Sequence, residues 1–252
     1  MSIVLITAGG TSEPIDRVRS ITNTGTGRLG SFIADSFADR SSVERIFYIC
    51  AENSIRPRSE RVTIITVKTV ADLQSAVADI LSEYRIDAII HSMAVSDYTV
   101  KAVSSVEEIA NYLQSTPTAS VDLKSSILEA MEETDITANA GKISSQIKSP
   151  LILLEQTPKI LPMFRKCLPN AVIVGFKLLS ETTENILFDT AFRLLQKNGC
   201  NFVLANDASQ INGDQHIGYL LDSQKDFLIF HTKQEIAEGI VCAVLKEIDK
   251  QT

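Results

Sequence analysis

Two glycine-rich segments near the amino terminus are of the type that brings backbone N–H groups close to phosphate oxygens. An apolar run at 3–8 (IVLITA) is followed by Gly9-Gly10-Thr11, and residues 25–30 read GTGRLG. Glycine lets the backbone approach an anion, and a helix that begins at such a segment adds a favourable dipole. The segments therefore predict either a phosphate cradle or a pair of structural turns, and the glycine spacing alone leaves both open.

A standard dinucleotide site is not predicted, although Gly25, Gly27 and Gly30 match G-x-G-x-x-G. That fingerprint places its glycines directly after the first strand, whereas here a long polar loop intervenes. An NAD(P)-dependent oxidoreductase would also need an acidic residue at the end of the second strand and a Tyr-x-x-x-Lys pair. The second apolar run ends in Cys50-Ala51-Glu52, and no lysine follows Tyr98 at that spacing.

Three polar side chains outside the glycine segments have types that suit catalysis or binding. Asn23 can donate and accept hydrogen bonds, which suits a carboxylate, although asparagine also caps turns. Asp97 could hold a ribose hydroxyl or Mg²⁺, or cap a helix or turn. Lys142 could reach a phosphate or a developing oxyanion, or it could be a solvated loop lysine. The metal ligands themselves are not assigned.

Hydrophobic periodicity indicates strands that alternate with amphipathic helices in the first 92 residues and again after residue 150, which favours a parallel sheet covered on both faces. Residues 93–100 are expected to form a loop, 105–114 a short helix, and 116–149 a polar irregular segment. The segment 222–226 predicts the turn of a closing antiparallel hairpin. The expected strands are 2–7, 43–50, 62–67, 87–92, 151–156, 171–176 and 201–207, and the expected helices are 28–39, 69–84 with Thr69 as N-cap, 157–167, 181–198 and 233–250.

The predicted fold is thus a Rossmann-like, three-layer α/β domain over residues 1–252, with an irregular flap insert at about 100–149 and a C-terminal hairpin. Ligands of such sheets bind beyond the carboxyl ends of the strands, and Phe176 and Asn206 stand at the ends of two predicted strands. A hydrophobic content of 44% and 22% charged residues are typical of an ordered globular protein.

The charge and the cysteine pattern exclude several classes of protein. A net charge of −7 without a basic run argues against a nucleic-acid binder. No apolar run approaches the ~18 residues of a membrane span, and no signal peptide is recognisable, so we expect a cytoplasmic protein. The four cysteines are widely spaced, which excludes a CxxC metal or redox motif.

Several separated blocks of the sequence together resemble phosphopantothenate–cysteine ligase, also called phosphopantothenoylcysteine synthetase. They extend from residue 3 to about residue 231, and any one of them would be weak alone. We expect the monofunctional bacterial type, since the sequence leaves no room for a flavin-dependent decarboxylase before Ser2. The blocks are ITAGGTSEPIDRVRSITNTGTGRLG, AVSDY, GKISS, TPKIL, VGFKLLSET and LANDASQ.

The resemblance implies that 4′-phosphopantothenate and L-cysteine are joined through an acyl-nucleotidylate in coenzyme A biosynthesis, with Mg²⁺ and CTP, or ATP instead. Asn23 would hold the substrate carboxylate and the acyl intermediate, and Lys142 would be the catalytic flap lysine. The resemblance also implies a homodimer. The implied nucleotide contacts are Gly10, Gly27, Gly30, Asp97, Phe176, Asn206, Arg193 and Lys197.

Two departures from the family pattern leave parts of this assignment open. The flap reads Lys142-Ile143-Ser144-Ser145 instead of Lys-Ile-Lys-Lys, so only its first lysine transfers. Gly175-Phe176-Lys177-Leu178 resembles the ATP-using branch as much as the CTP-using one. A non-catalytic nucleotide-binding module stays a second alternative beside the oxidoreductase.

Overall fold

The fold is described from a computed structural model, for residues 1–116, 122–137 and 142–251. Strands and helices alternate through most of these ranges. The first part of the chain contains β1 (Ser2–Ala8), β2 (Ser12–Pro14), β3 (Ser20–Thr22), α1 (Arg28–Ala38), β4 (Val43–Ala51), β5 (Val62–Val67), α2 (Val70–Glu83), β6 (Ala88–His91), β7 (Tyr98–Ser105), α3 (Val106–Ser115) and α4 (Leu123–Glu133). The second part contains β8 (Pro150–Gln156), α5 (Ile160–Cys167), β9 (Val172–Leu179), α6 (Glu184–Asn198), β10 (Phe202–Asp207), β11 (Ile211–Asn212), β12 (Gln215–Asp222), β13 (Phe227–Thr232) and α7 (Lys233–Gln251).

The chain packs as two units. The first comprises residues 1–11, 24–95 and 159–252, and the second comprises 12–23 and 96–158. The expected insert at 100–149 falls within the second unit, which also takes in the polar loop after β1. The assignment of 1–252 to one ligase domain stays a prediction.

The first unit is built on a nine-stranded sheet whose parallel strands have the order β5-β4-β1-β6-β9-β10. Numbered along the chain, these six strands lie in the order 3-2-1-4-5-6, which is the doubly wound nucleotide-binding arrangement. The strand order reverses between β1 and β6, and ligands bind such sheets at this switch point. The Rossmann-like α/β fold predicted from the sequence is confirmed.

Alternating side chains of β1 divide the core of this unit into two layers. Val4, Ile6 and Ala8 pack with α1 and α7 on one face, whereas Leu5 packs with α2, α5 and α6 on the other. Burying each such aliphatic side chain contributes about 1.5–3 kcal/mol. Strands that are apolar on both faces are therefore stable only when helices cover both sides of the sheet.

Two further local predictions are confirmed in this unit. Thr69 is the N-cap of α2 and forms a capping box, in which its hydroxyl accepts from Asp72 N–H and its own N–H donates to the Asp72 carboxylate. At the far edge of the sheet, β12 pairs antiparallel with β10 and β13 pairs antiparallel with β12. The closing hairpin thus lies where the sequence predicted it.

The second unit differs most from expectation. The predicted loop at 93–100 is wrong at its end, because Tyr98 begins β7, which pairs antiparallel with β8 in a separate two-stranded sheet. The register shift between Val100 and Ala102 and the buried Ser104 and Ser105 break the apolar alternation that identifies a strand. The strand at 151–156 was predicted correctly, but it is no part of the main sheet.

Residues 116–149 also contain a helix, so the prediction of an irregular segment is wrong for α4. The buried residues of α4 are Ser126, Ala130 and Met131, of which the last two are apolar. Ala130 and Met131 pack with Ile109 of α3. A serine at a core position hides the helical period. Residues 117–121 and 138–141 of the segment lie outside the described ranges.

The polar loop after β1 is ordered as a short antiparallel hairpin of β2 and β3. The strands have three residues each and their pattern of burial is irregular, so no sequence period marks them. Among the described residues, no helix is long and apolar enough to cross a membrane.

Candidate active site

The switch point of the sheet in the first unit is closed by backbone contacts between the segments that follow β1 and β6. Gly10 is buried and forms a parallel bridge with Ala94. Ala94 N–H donates to the Gly9 carbonyl at 2.8 Å, and Thr11 N–H donates to the Ala94 carbonyl at 3.1 Å. The predicted nucleotide contact Gly10 therefore lies at the crevice where doubly wound sheets bind their ligands.

The two glycine segments pack against each other, which explains why glycine stands at these positions. A Cβ on Gly25 would lie 2.5 Å from the Gly9 carbonyl oxygen, and one on Gly9 would lie 1.9 Å from the Ser54 hydroxyl. Gly9 and Gly27 also have φ of 86° and 75°, where other residues are strained. The sequence alone did not decide between a phosphate cradle and structural turns. The structure shows that both segments have the backbone geometry of a turn.

Gly30 and Gly27 have different structural roles. A Cβ on Gly30 would lie 2.5 Å from the Ala8 Cβ, so glycine here lets α1 approach β1 closely. Gly27 is the N-cap residue of α1, and the first turn of α1 contains no acidic residue and no side-chain cap. The positive dipole end of α1 is therefore not neutralised by an acidic side chain of its own first turn.

Tyr48 and Ser54 support the Gly27 segment, and sequence reasoning missed both. The single hydrogen of the Tyr48 hydroxyl is shared between the Gly27 and Ile55 carbonyl oxygens, at 3.2 and 3.0 Å, and burial raises the pKa of this phenol. Ser54 is 9% exposed, and its hydroxyl has no hydrogen-bond partner within the described part of the chain. Ser54 follows the end of β4, so a search of the residues that follow each strand could have found it, whereas Tyr48 lies within β4 and carries no such signal.

Replacing Gly25 with alanine should therefore destabilise the first unit by about 2–3 kcal/mol, because the Gly9 backbone would have to shift. Gly213→Ala is the matched control, since its Cβ meets no atom within 4 Å while φ is 59°. That control should lose only about 1 kcal/mol of stability. Urea unfolding of the two variants measures the difference, and equal losses would contradict this packing argument.

Phe176 and Asn206 lie in the carboxyl-terminal halves of the neighbouring parallel strands β9 and β10. The predicted end of the first of these strands at residue 176 is wrong, because β9 continues to Leu179. Phe176 on β9 is half-buried and pairs in register with Leu204 of β10. Asn206, at the end of β10, is 6% exposed, and its Nδ2 lies 2.9 Å from Nε2 of the buried His216 on β12. His216, which sequence reasoning missed, therefore sets the orientation of the Asn206 amide.

Two cations and one carboxylate interact near the start of β12, and the charge of one of them, Lys233, acts on His216. Arg28, the first residue of α1, is 2.7 Å from the Asp214 carboxylate, and the Lys233 ammonium donates to the Gly213 carbonyl. Burial and then the Arg28 charge lower the pKa of Lys233, while Asp214 opposes that shift. The arrangement can attract an anion to the amino terminus of α1.

Asp207 holds the turn after β9 in place. Its carboxylate accepts the N–H groups of Glu181 and Thr182 at 3.1 and 2.8 Å, and the N–H and hydroxyl of Ser209 at 2.9 and 2.7 Å. These bonds, led by the one from Thr182, lower the pKa of Asp207 to about 2. Glu181 has a φ of 52°, so the carboxylate stabilises a turn that would be strained alone.

Two buried histidines should make the protein less stable as the pH falls. Burial lowers the pKa values of His91 and His216 to about 4, from an ordinary 6.5. Between those values the unfolded chain binds protons that the folded chain does not, so stability decreases with acidification. The carboxyl pKa values of Asp16 and Asp207 are lowered in the folded protein, so the stabilising contributions of these two carboxylates are lost only below about pH 4.

From pH 7 to pH 5, each histidine should account for about 2 kcal/mol of lost stability. Urea unfolding curves at both pH values measure this loss. The variant His216→Gln should lose about half as much over the same range. An unchanged pH dependence in that variant would contradict the assignment to His216.

The second unit contains Asn23, Asp97 and Lys142. Asn23 directly follows β3 and is half-buried, whereas Asp97 and Lys142 are exposed. The Asp97 carbonyl accepts the N–H of Thr157 at 3.0 Å, which fixes the backbone just before β7. The loop that ends at Asn23 also carries Asp16, whose carboxylate accepts the N–H of Ile143 at 3.1 Å. This unit therefore joins the Asn23 loop to the residue that follows Lys142.

Arg193 and Lys197 are not brought to the carboxyl edge of the sheet. Both are exposed in the second half of α6, the end that leads through Gly199 into the start of β10. Arg193 Nε donates to the Asp189 carbonyl at 3.1 Å. Their role as nucleotide contacts stays a prediction that this placement does not favour.

Comparison with known proteins identifies the family. Residues 2–133 and 134–248 match the family described as DNA/pantothenate metabolism flavoprotein C-terminal domain. The chain belongs to this family. The crystal structure of the DNA/pantothenate metabolism flavoprotein from Streptococcus pneumoniae is 32% identical, covers 100% of each chain and has a TM-score of 0.81.

Other proteins that are similar to this chain have more specific names. The coenzyme A biosynthesis bifunctional protein CoaBC of Thermococcus kodakarensis is 28% identical over 94% of this chain and 49% of its own length. A Cab2 mutant in complex with phosphopantothenate-cysteine is 19% identical, covers 99% of this chain and 87% of its own, and has a TM-score of 0.67, which shows the shared fold. The chain spans about half the length of the curated relatives it matches.

Proposed function

We propose that the protein is a phosphopantothenate–cysteine ligase of coenzyme A biosynthesis. The observation that carries the proposal is the family match across residues 2–248, in a chain whose relatives are named for coenzyme A biosynthesis. The 3-2-1-4-5-6 sheet with glycine segments at its switch point supports nucleotide binding in this reaction.

The reaction would proceed in two steps. The carboxylate of 4′-phosphopantothenate attacks the α-phosphorus of the nucleoside triphosphate, and pyrophosphate leaves. The amine of L-cysteine then attacks the acyl carbon, the amide forms, the nitrogen loses a proton, and the nucleoside monophosphate leaves. Binding both reactants in fixed positions supplies much of the rate enhancement in such transfers.

Within this proposal, the protein residues position groups and offset negative charge. Gly10, Gly27 and the amino terminus of α1 would receive the phosphates, and Phe176 and Asn206 would contact the nucleotide. Asn23 would hold the substrate carboxylate and then the acyl intermediate. Lys142 would place its ammonium on the developing oxyanion or leaving phosphate.

Magnesium would be bound mainly through the nucleotide. In the described ranges, no three His, Cys, Asp or Glu side chains come together as a metal site. Mg²⁺ commonly uses substrate phosphates, waters and one or two carboxylates. Asp97 offers one exposed carboxylate, so the residues present fit a metal that arrives with the triphosphate and offsets its charge.

The geometry gives no support to the oxidoreductase alternative. The dinucleotide fingerprint needs α1 to begin directly after β1, whereas β1 ends at Ala8, a hairpin follows, and α1 begins at Arg28. Titration with NADH and NADPH should show no binding. A non-catalytic nucleotide-binding module would bind CTP without turnover.

Release of pyrophosphate tests the proposed reaction. Protein, Mg²⁺, 4′-phosphopantothenate and L-cysteine are incubated with CTP or with ATP in parallel, and pyrophosphate and the amide product are measured. We expect release that depends on phosphopantothenate and is faster with CTP. Absence of release with both nucleotides would refute the ligase proposal, and faster release with ATP would correct the nucleotide preference.

We further propose a cytoplasmic homodimer. All four cysteines are free, which suits a reducing compartment. Exposed apolar residues on β8 (Leu151, Ile152 and Leu154) and on the edge strand β13 (Phe227, Leu228 and Ile229) offer surfaces that a second copy could cover. Sedimentation velocity at micromolar concentration should show a dimer, and a monomer would contradict it.

A further inference from the structure

The carboxylate of Asp16 in the β2–β3 loop is enclosed, with no exposed side-chain surface. Its Oδ1 accepts two local backbone bonds, from Val18 N–H at 2.8 Å and Arg19 N–H at 2.7 Å. Its Oδ2 accepts the Arg19 guanidinium, from Nε at 3.1 Å and Nη2 at 2.6 Å. One oxygen thus orders the loop, and the other accepts two N–H groups of the Arg19 guanidinium in an ion pair.

The same ion pair binds a distant segment of the second unit. Ile143 N–H donates to Asp16 Oδ2 at 3.1 Å, and Arg19 Nη2 donates to the Ile143 carbonyl at 3.0 Å. Both backbone polar groups of Ile143 are therefore bound by one acid and one base. Charge-assisted bonds of this kind are stronger than neutral ones, so they fix the local backbone.

Three features leave the Lys142 side chain as the movable part of this segment. The Ile143 side chain is 5% exposed, and its burial anchors the backbone at this position. A turn follows, in which Gln146 N–H donates to the Ser144 hydroxyl at 3.2 Å. Lys142 itself is exposed. The Lys142 Cα is therefore held in place, and a long, flexible side chain that ends in an ammonium group extends from it.

We propose that Asp16 is a positioning residue for Lys142. Asp16 binds the Ile143 N–H and Arg19 binds the Ile143 carbonyl, and this pair of hydrogen bonds, called the clasp, fixes the backbone position of the catalytic lysine. This inference rests on the role proposed for Lys142. A shift of about 1 Å at a reacting group can lower a rate roughly 100-fold, so loss of the clasp should act on turnover more than on nucleotide binding.

Asp16→Asn tests the clasp with little change in side-chain shape. The remaining oxygen can keep the two local backbone bonds, while the new NH₂ faces the donors of Arg19 and Ile143. Asp35→Asn is the matched control in the first unit, because Asp35 Oδ1 accepts Arg58 N–H and Ser59 N–H and its Oδ2 accepts the Arg58 guanidinium. Arg19→Lys keeps the charge but loses the planar guanidinium that donates to both Asp16 Oδ2 and the Ile143 carbonyl, and it serves if Asp16→Asn fails to fold.

The first measurement is independent of ligase activity. Native-state trypsin cleavage of the Lys142–Ile143 bond, followed by mass spectrometry, should be roughly tenfold faster in Asp16→Asn because the segment opens more often. The control Asp35→Asn should be cleaved there at the wild-type rate. Equal cleavage of Asp16→Asn and wild type would overturn the inference.

The second measurement separates positioning from a general loss of structure. Asp16→Asn should lower kcat roughly 100-fold and change the KM for the nucleotide less than about threefold. In the Lys142→Gln background the same substitution should lower kcat less than about threefold, because the lysine it positions is gone. An equal fold loss in both backgrounds would overturn the inference. If wild type has no ligase activity, the proposed function fails, and trypsin cleavage alone decides whether Asp16 holds the segment.

Discussion

Replacing Lys142 with glutamine is expected to lower kcat for pyrophosphate release roughly 100- to 1,000-fold while the fold and nucleotide binding persist. Glutamine keeps a hydrogen-bond donor but removes the positive charge that would stabilise the developing anion. Lys142 is exposed, so no buried contact is lost. Steady-state and single-turnover kinetics, with the circular dichroism spectrum of the folded protein, measure the effect.

The matched control is Lys148→Gln, which removes an exposed lysine from the same segment. Its kcat should stay within about twofold of wild type, as expected for a solvated surface charge. Retained turnover in Lys142→Gln would remove this lysine from the mechanism. A similar loss in both variants would instead indicate a general effect of positive charge in the segment.

Replacing Asn23 with aspartate should lower the rate of amide formation roughly 100-fold, because it places a carboxylate against a carboxylate and removes a donor. The dissociation constant for CTP should change less than about threefold, since the proposed phosphate contacts come from other residues. Titration calorimetry with CTP and the product assay measure the two quantities separately.

Asn23→Ala separates the two causes, since it removes the donor without adding charge, and it should retain more activity than Asn23→Asp. Asn185→Asp, at an exposed position of α6, controls for the added negative charge. Equal loss of nucleotide binding and amide formation in Asn23→Asp would contradict a role at the substrate carboxylate.

The main sheet could be predicted from the sequence because its strands are apolar on both faces and alternate with amphipathic helices. Because ligands of such sheets bind beyond the carboxyl ends of the strands, the residues at the predicted strand ends, Gly10, Phe176 and Asn206, were expected at this edge. Arg193 and Lys197 were expected at the site only from the family resemblance, and both lie in the second half of α6, away from its amino terminus.

The second unit could be predicted only in part, because its elements have little apolar period. The strand β7 has a register shift and two buried serines, and α4 has a serine on its inward face. The clasp of Ile143 by Asp16 joins two polar loops through backbone groups, which every residue carries, so no residue pattern indicates it. The same holds for Tyr48, whose hydroxyl binds carbonyl oxygens.

The order of synthesis on the ribosome has a consequence for the second unit, which combines residues 12–23 with 96–158. Asp16 and Ile143 are 127 positions apart along the chain. At about 5–20 residues per second, the Asp16 loop waits roughly 6–25 s before its partner emerges. During that time its charged groups are solvated and accessible to proteases. A chain that stops before residue 143 could begin to form the parallel sheet and the local bonds of Asp16, but it would lack the two hydrogen bonds that join this loop to Ile143.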